Sequence, residues 1–559
     1  MATLSSLLAS GARGLGSYLF GGSGGYDAGR YDRAETAGWH RTRQHAESVF
    51  GRASDTLVSR TEDEDRNNSW INGALDRDWE RVVGAGLQPW PTPIYRVLGK
   101  DVDWSLKWSQ QYRDLYRLWA EDPLFRCDAL MRESFGRLEA KARLNFRRGG
   151  EVLVEIRRDN RGASCPVNVL LIDPVRLANP SGKTEGDPNF RNGIEYAGGV
   201  PVAAWIRPFH PGSTVIDKGM NEPVRVPFRS TTGLPNLLLI SYTRFIEQVR
   251  GISPMAPSLI VSKMLDSFET DIANRAKLEA QMGAFIKGPG TPEDLAEAIA
   301  PSGGPEGQNN ALAAYVDYRE TNPIKAIGNF FMRMLLPDED VKFMPPVTPG
   351  DNFAEFRRAQ LSKVAASTGQ SYPEVSQDHA GINLSNMRAI ENMRHRIVEI
   401  ERQFWSQQFN QPINLAVMEH YVASGDLKIP GGPINFYRKM AAVTNTTWIG
   451  PDRGVVDAEK EARAHSLNAA AYRESPYEAM IARGREPSEI MDQAAAFYRE
   501  LAERGLPPPD YNTKGQTATA DGEDAAVTGG DPADGDKDGV PNEAAKKKAK
   551  VKPQGGQDQ

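Results

Sequence analysis

Cysteine is nearly absent from this sequence: Cys127 and Cys165 are the only two thiols in 559 residues. Two lone cysteines cannot build a disulfide framework, which excludes the small secreted scaffolds and fits a reducing compartment. No apolar run approaches the roughly 18 residues of a membrane span. The opening MATLSSLLASGARGLGSYLFGG carries no basic leader and does not read as a signal peptide. Excess positive charge is missing too. With 67 Lys and Arg against 73 Asp and Glu, the net charge is −6. Such a chain does not grip nucleic acid over its whole surface, although nucleic acid sliding past it is not excluded.

Catalytic signatures are equally scarce. Ser181-Gly182-Lys183-Thr184 contains the end of a phosphate-binding loop, but position 177, where that loop needs its first glycine, is Leu177. Asp534, Asp536, Asp538 and Gly539 match the first half of a calcium loop, yet Ala545 stands where the bidentate Glu belongs and Pro541 interrupts the rest. The seven histidines form no HxxxH or HExxH set, and His379 near Asp378 and Ser376 lacks a Gly-x-Ser-x-Gly elbow. Glu133, Glu139, Glu151 and Glu155 offer paired carboxylates of the kind that solvated faces supply everywhere. Arg143, Arg147, Arg148, Arg157, Arg158 and Arg161 are the best nucleic-acid candidates, weighed against a polar strand face or a subunit contact. No cofactor and no metal site is expected.

The chain exceeds what one core organises, so two to four domains are expected. Residues 1–60, with clustered Gly and Ser and a helix expected at 34–50, read as a flexible arm. From 61 to 250 helical blocks rich in Trp and Tyr give way to GGEVLVEIRRDN, PVNVLLIDPVRLANP, GIEYAGGVPVAAWIRPFHPG and NLLLISYT, which read as strands and hairpins, so this part is α+β. RGISPMAPSLIVSKMLDSFETDIANRAKLEAQMGAFIK follows at 250–287. Ser253 and Pro254 read as its N-cap and first turn, and Leu259, Ile260, Met264, Leu265, Phe268, Ile272 and Ala276 recur at three- and four-residue steps. Loop-rich sequence to Pro349 precedes a second helix at 352–368. An interruption, GQSYPEVSQDHAGINLSN, leads to a third helix at 387–409, with Met387, Ile390, Met393, Ile397, Ile400 and Phe404 in register. Short helices fill 450–506. The Asp-, Ala- and Gly-rich tail ending in a lysine cluster cannot bury enough apolar area to fold.

Several of these segments together resemble the lambda-type family of tailed-bacteriophage portal proteins. They are DRNNSWINGALDRDWERVVGAGLQP, GGEVLVEI, LLIDPVRLANP, the 250–280 helix, PGDNFAEFRRAQLSKVAASTGQSYPEVSQDHAGINLSNMRA and WIGPDRGVVDAEKEARAHS, in the expected order between Asp65 and Leu506. The resemblance implies a multi-domain α+β portal architecture assembling into a ring, typically of twelve subunits, at one capsid vertex. A wing would occupy 61–250, a first stem helix 251–287, a clip 288–349, a second stem helix 350–368 and a channel loop 369–386. A long wing helix and its return would fill 387–449, a helical crown 450–506 and a disordered tail 507–559.

The implied function is a conduit for packaging and ejecting double-stranded DNA, without catalysis of its own. The implied partners are further copies of itself, the terminase large subunit, a head-tail connector, and the major capsid protein or a scaffold, with no membrane. Its place would be the virion, with host cytoplasm during assembly. Gln370, Tyr372, Gln377, Asp378 and Asn383 are the DNA-contact candidates of the loop. Lys263, Asp266, Glu269, Asp271, Arg275 and Glu279 are candidates for the stem lining. The alternatives are a non-channel scaffold or adaptor, and a carboxylate- or metal-dependent nuclease or hydrolase.

Overall fold

The structure is a computed structural model that describes residues 43–214, 218–281, 351–452 and 458–507, with single positions at 306, 307, 310, 313 and 317. Nearly all of the expected clip, most of the expected arm, the end of the first stem helix and the tail beyond 507 lie outside the described residues. The chain forms two compact units, Met1–Met491 and Asp492–Gln559.

The first unit opens with α1 (Ala46–Asn67) and α2 (Ser69–Val82), which meet at Asn68, whose side chain accepts from the N–H groups of Trp70 and Ile71 and so caps α2. Of the helix expected at 34–50, the positions before 43 lie outside the described residues; α1 begins at Ala46 and runs through the boundary expected at 60. Its inner face explains the extension: Glu64 is buried and accepts a hydrogen bond from Ser262 at 2.9 Å. Next come β1 (Gln88–Pro91), the short α3 (Tyr95–Leu98), α4 (Val102–Ala120) and α5 (Phe135–Gly149). Along α4, Trp104, Trp108, Tyr112, Tyr116 and Trp119 stand three or four residues apart, and each ring meets the next at 5.3–6.1 Å.

The strands are β2 (Glu151–Arg158), β3 (Val167–Ile172), β4 (Phe190–Arg191), β5 (Ile194–Ala197), β6 (Val200–Ile206), β7 (Val224–Pro227) and β8 (Leu237–Ser241). They form two open antiparallel sheets, ordered β3-β2-β8 and β4-β5-β6-β7. Alternation along β2 sends Val152 and Val154 into the main core and Leu153 into a second core with Ile194, Ile206 and Leu237. Both faces of this central strand are thereby covered.

After β8 the chain passes Gly251 and enters α6 (Leu259–Gln281). A Cβ on Gly251 would lie 2.0 Å from the Gly150 carbonyl oxygen, so only glycine permits this crossing. α6 begins five residues later than expected. Ser253 is not its cap: the hydroxyl accepts from Met255 N–H in a turn and donates to Arg147 O at 3.1 Å. Pro257 then disfavours a helical Ala256, and the helix starts once that restriction is passed.

The remaining elements are α7 (Asp351–Thr368), α8 (Tyr372–Ser376), α9 (Leu384–Trp405), α10 (Gln411–Ser424), α11 (Gly432–Arg438), α12 (Met440–Val443), β9 (Thr446–Ile449), α13 (Ala458–Ala470), α14 (Pro476–Ala482) and α15 (Pro487–Glu503). A π-helical turn, Ser406–Asn410, joins α9 to α10, so the helix expected to end at 409 continues. β9 pairs antiparallel with β1. A third core gathers Ile71 and Leu75 of α2, Leu259 and Leu265 of α6, Leu361 and Val364 of α7, and Val375 of α8. This core positions the 369–386 segment. In the second unit, the described end of α15 carries the Phe497–Tyr498 ring contact and an Arg504–Glu500 ion pair. Among the described residues no helix is long and apolar enough to cross a membrane.

Candidate functional site

The segment between α7 and α9 is built in two parts. α7 ends where Gly369 turns into the left-handed region at φ 70°. Two arginines take the carbonyls released there: Arg147 donates to Thr368 O at 2.9 Å and Arg394 donates to Gly369 O at 2.5 Å. α8 then starts with a capping box in which Ser371 and Glu374 satisfy each other's backbone N–H groups. The Glu374 carboxylate also takes Arg81 Nε at 3.0 Å and Arg394 Nε at 3.2 Å. Pro373 and Val375 are buried. Residues 369–376 are therefore fastened to α2, α5 and α9.

Residues 377–383, QDHAGIN, have no such fastening. Gln377, at φ 54°, stops α8, and positions 377–381 are exposed. Asp378 accepts from Ala380 N–H at 3.0 Å and from the Tyr372 hydroxyl at 3.2 Å, which hold its carboxyl below the usual range. Asn383 caps α9 by accepting from Asn386 N–H at 2.8 Å.

Of the loop candidates, Gln377, Asp378 and Asn383 lie exposed, and Tyr372 is half-buried beneath the Arg358 guanidinium, 5.3 Å from its ring centre. Gln370 is corrected. It is buried, and its amide donates to Ala74 O at 2.6 Å, because the chain folds back onto α2 as it leaves α7. His379, weighed in the sequence beside Asp378 and Ser376, is equally exposed, and sequence reading missed the clamp of Arg81, Arg394 and Glu374. The Ser371-x-x-Glu374 spacing was the available signal for that clamp.

The stem candidates also divide. Asp271 and Arg275 are exposed. Lys263 is exposed, 3.9 Å from both Glu64 and Asp266. Glu269 is half-buried and accepts from the Trp70 indole at 3.4 Å, which turns it toward α2. The Glu279 side chain lies outside the described residues.

Beneath the fastened half sits a buried charge cluster. Arg143, fully buried, donates to Asp78 at 2.7 Å and to Glu401 at 3.0 Å, and Arg147 lies 3.2 Å from Asp78. Burial alone would raise the Asp78 carboxyl, but Arg143 and Arg147 hold it below its ordinary value. One turn before Arg143 on α5, Glu139 is also buried but meets neutral donors, Leu87 N–H at 2.9 Å and the Trp405 indole at 3.2 Å. Burial pushes its carboxyl up to about 8.

The other candidate arginines are paired as well: Arg148 with Asp65, Arg157 with Glu155, Arg158 with Glu419 and Arg161 with Asp159. The six arginines are structural ties here, not an open basic patch. Both cysteines are buried and free, their thiols pushed up to about 12 by that burial. Among the described residues no group of three or more His, Cys, Asp or Glu is placed to hold a metal ion.

Comparison with known proteins gives a consistent family. The model of the phage portal protein, lambda family, matches residues 32–402. The portal protein of Escherichia phage N15 is 21% identical over 500 residues, covering 88% of this chain and 92% of that protein. Portal protein B of Escherichia phage lambda is 21% identical over 476 residues, covering 81% of this chain and 85% of that protein. A chain in the solved neck of an empty GTA particle aligns with a TM-score of 0.41 at 14% identity, covering 81% of this chain and 98% of that one.

Proposed function

The chain belongs to the lambda family of phage portal proteins, and we propose that it is the subunit of a ring at one capsid vertex through which double-stranded DNA is packaged and ejected. In this reading residues 61–250 form the wing and α6 and α7 belong to the stem. The segment 288–349 is the clip that faces the terminase and later the head-tail connector, and 450–506 form the crown. Residues 377–383 are the part of the channel loop that meets the duplex. The ring is a structural conduit, and ATP hydrolysis belongs to the terminase.

One observation carries the placement of the loop: a seven-residue stretch, exposed along most of its length, stands on a base fastened by Arg81, Arg147, Arg394 and Glu374. A sliding duplex needs contact without grip, since each phosphate neutralised by a fixed cation adds salt-dependent affinity. QDHAGIN contains no Lys or Arg and one fixed anion, Asp378. Such a stretch can touch and centre a duplex while leaving its counterions in place. Negative-stain imaging with the mass in solution tests the reading. Rings with a hole wide enough for duplex DNA are expected, and a stable monomer across salt and concentration would overturn it.

A further inference from the structure

Two helices carry apolar strips that nothing among the described residues covers. The seven apolar positions that recur along α6 do not share one face. Leu259 and Leu265 enter the third core, whereas Ile260 is 71% exposed and Met264 65% exposed. α9 splits in the same way. Val398 and Trp405 are buried, while Met393 is 72% exposed, Ile400 68% and Ile397 41%. At 100° and 1.5 Å per residue, the α6 set forms a strip about 6 Å long and the α9 set one about 10 Å long. Contiguous exposed apolar side chains on an ordered helix mark an interaction surface.

Resting on the ring reading above, we propose that these strips are the two halves of one subunit contact, with Ile260 and Met264 of one protomer packed antiparallel on Met393, Ile397 and Ile400 of the next. A closed ring requires a heterologous interface, in which each subunit presents two different patches, and this chain presents two. Charge selects the direction. Lys263 flanks the α6 strip on one side, and Arg396 and Glu399 flank the α9 strip on the corresponding side. Lys263 and Glu399 are 59% and 60% exposed, so they remain available to a neighbour. Antiparallel helices bring corresponding flanks together, which lets Lys263 pair with Glu399. In parallel packing corresponding flanks lie on opposite sides of the contact, so Lys263 and Glu399 do not meet.

The test is cysteine cross-linking of the assembled full-length protein. Cys127 and Cys165 are buried, so a Met264→Cys, Ile397→Cys double variant adds the accessible thiols without removing a core side chain. Mild oxidation should give a covalent ladder reaching the full ring, with each single variant giving none. Lys263→Glu should lower the assembled fraction at fixed concentration, and adding Glu399→Lys should restore it. Rings by imaging with no ladder would overturn the contact while leaving the ring reading intact. An intrachain disulfide would overturn it as well, because the strip would then be covered within one chain. So would protection from maleimide of the thiol introduced by Met264→Cys in the isolated monomer. Absence of rings in the unmodified protein would overturn the ring reading, and this contact with it.

Discussion

Residues 369–376 and 377–383 adjoin in sequence and share a polar composition, yet they are held in opposite ways. The first stretch spends its backbone and side chains on α2, α5 and α9, through Arg147, Arg394, Arg81 and the Gln370 amide. The second makes its few bonds within itself and back to 372–376, chiefly through the Asp378 turn and the Tyr372 hydroxyl, and none to α2, α5 or α9 is made by Asp378. The difference teaches how a fold can present a compliant edge at a fixed height: the base is over-determined and the tip is left to solvent.

The largest way to break this contrast is to remove the floor under the base. Arg143→Ala would leave buried Asp78 with Arg147 alone, unpair Glu401 and leave a cavity against Trp405, and the loss should be about 3–5 kcal/mol. It should appear as a fall in the thermal midpoint, together with faster hydrogen exchange across 369–376. Unchanged exchange there would show that the buried cluster supports α5 alone.

pH should sharpen the contrast within that floor. The Glu139 carboxyl is raised from 4.5 to about 8 in the fold, so the folded state binds the proton more tightly than the unfolded chain does. Its stabilising contribution is complete below the unfolded value and is lost as pH rises from about 4.5 to about 8. Asp78, lowered from 3.8, works with the opposite sign: its contribution stands above that value and fades only as pH falls through the lower folded one. Glu139→Gln should therefore flatten the decline in thermal midpoint between about pH 4.5 and 8, an effect on the order of a few kcal/mol. A decline as steep in the variant as in the parent would assign it to another group.

Much of this architecture was legible locally. The GGEVLVEI and NLLLISYT runs are β2 and β8, and the interruption between two helices falls where the sequence pattern puts it. What escaped is what local pattern cannot encode. Arginines at 143 and 147 looked like surface because nothing nearby in sequence announces Asp78, sixty-five residues from Arg143, as the partner. A 3.6-residue apolar period also says that a helix has an apolar side, not how wide it is or whether one chain covers it, which is why Leu265 and Met264 were grouped together and then parted. β1 and β9 pair across the whole unit, with no hairpin signal to find.

A smaller effect separates the last residue of the base that sequence placed on the tip. Gln370→Ala removes one amide bond to the Ala74 carbonyl, and the loss should be about 1 kcal/mol. Hydrogen exchange should rise at 369–372 without change at 377–383. A matching rise in both stretches would mean that they form one cooperative unit, and the division drawn here would fail.

The smallest effect on stability should accompany the most telling one on function. Asp378→Lys alters an exposed side chain, so the thermal midpoint should stay within about 0.5 kcal/mol of the parent. In the ring reading, however, it places a fixed cation on every subunit where the parent has a carboxylate kept ionised by Ala380 N–H and the Tyr372 hydroxyl. Each phosphate so neutralised should steepen the dependence of DNA affinity on the logarithm of salt by about 0.9. Packaging by the assembled motor should slow at low salt and recover as salt rises. Asp378→Asn removes the anion without adding a cation, so it should leave the salt slope near that of the parent. Equal slopes for the lysine and asparagine variants would show that the duplex never comes within reach of position 378. The exposed tip would then need another role, such as contact with the neighbouring subunit's loop.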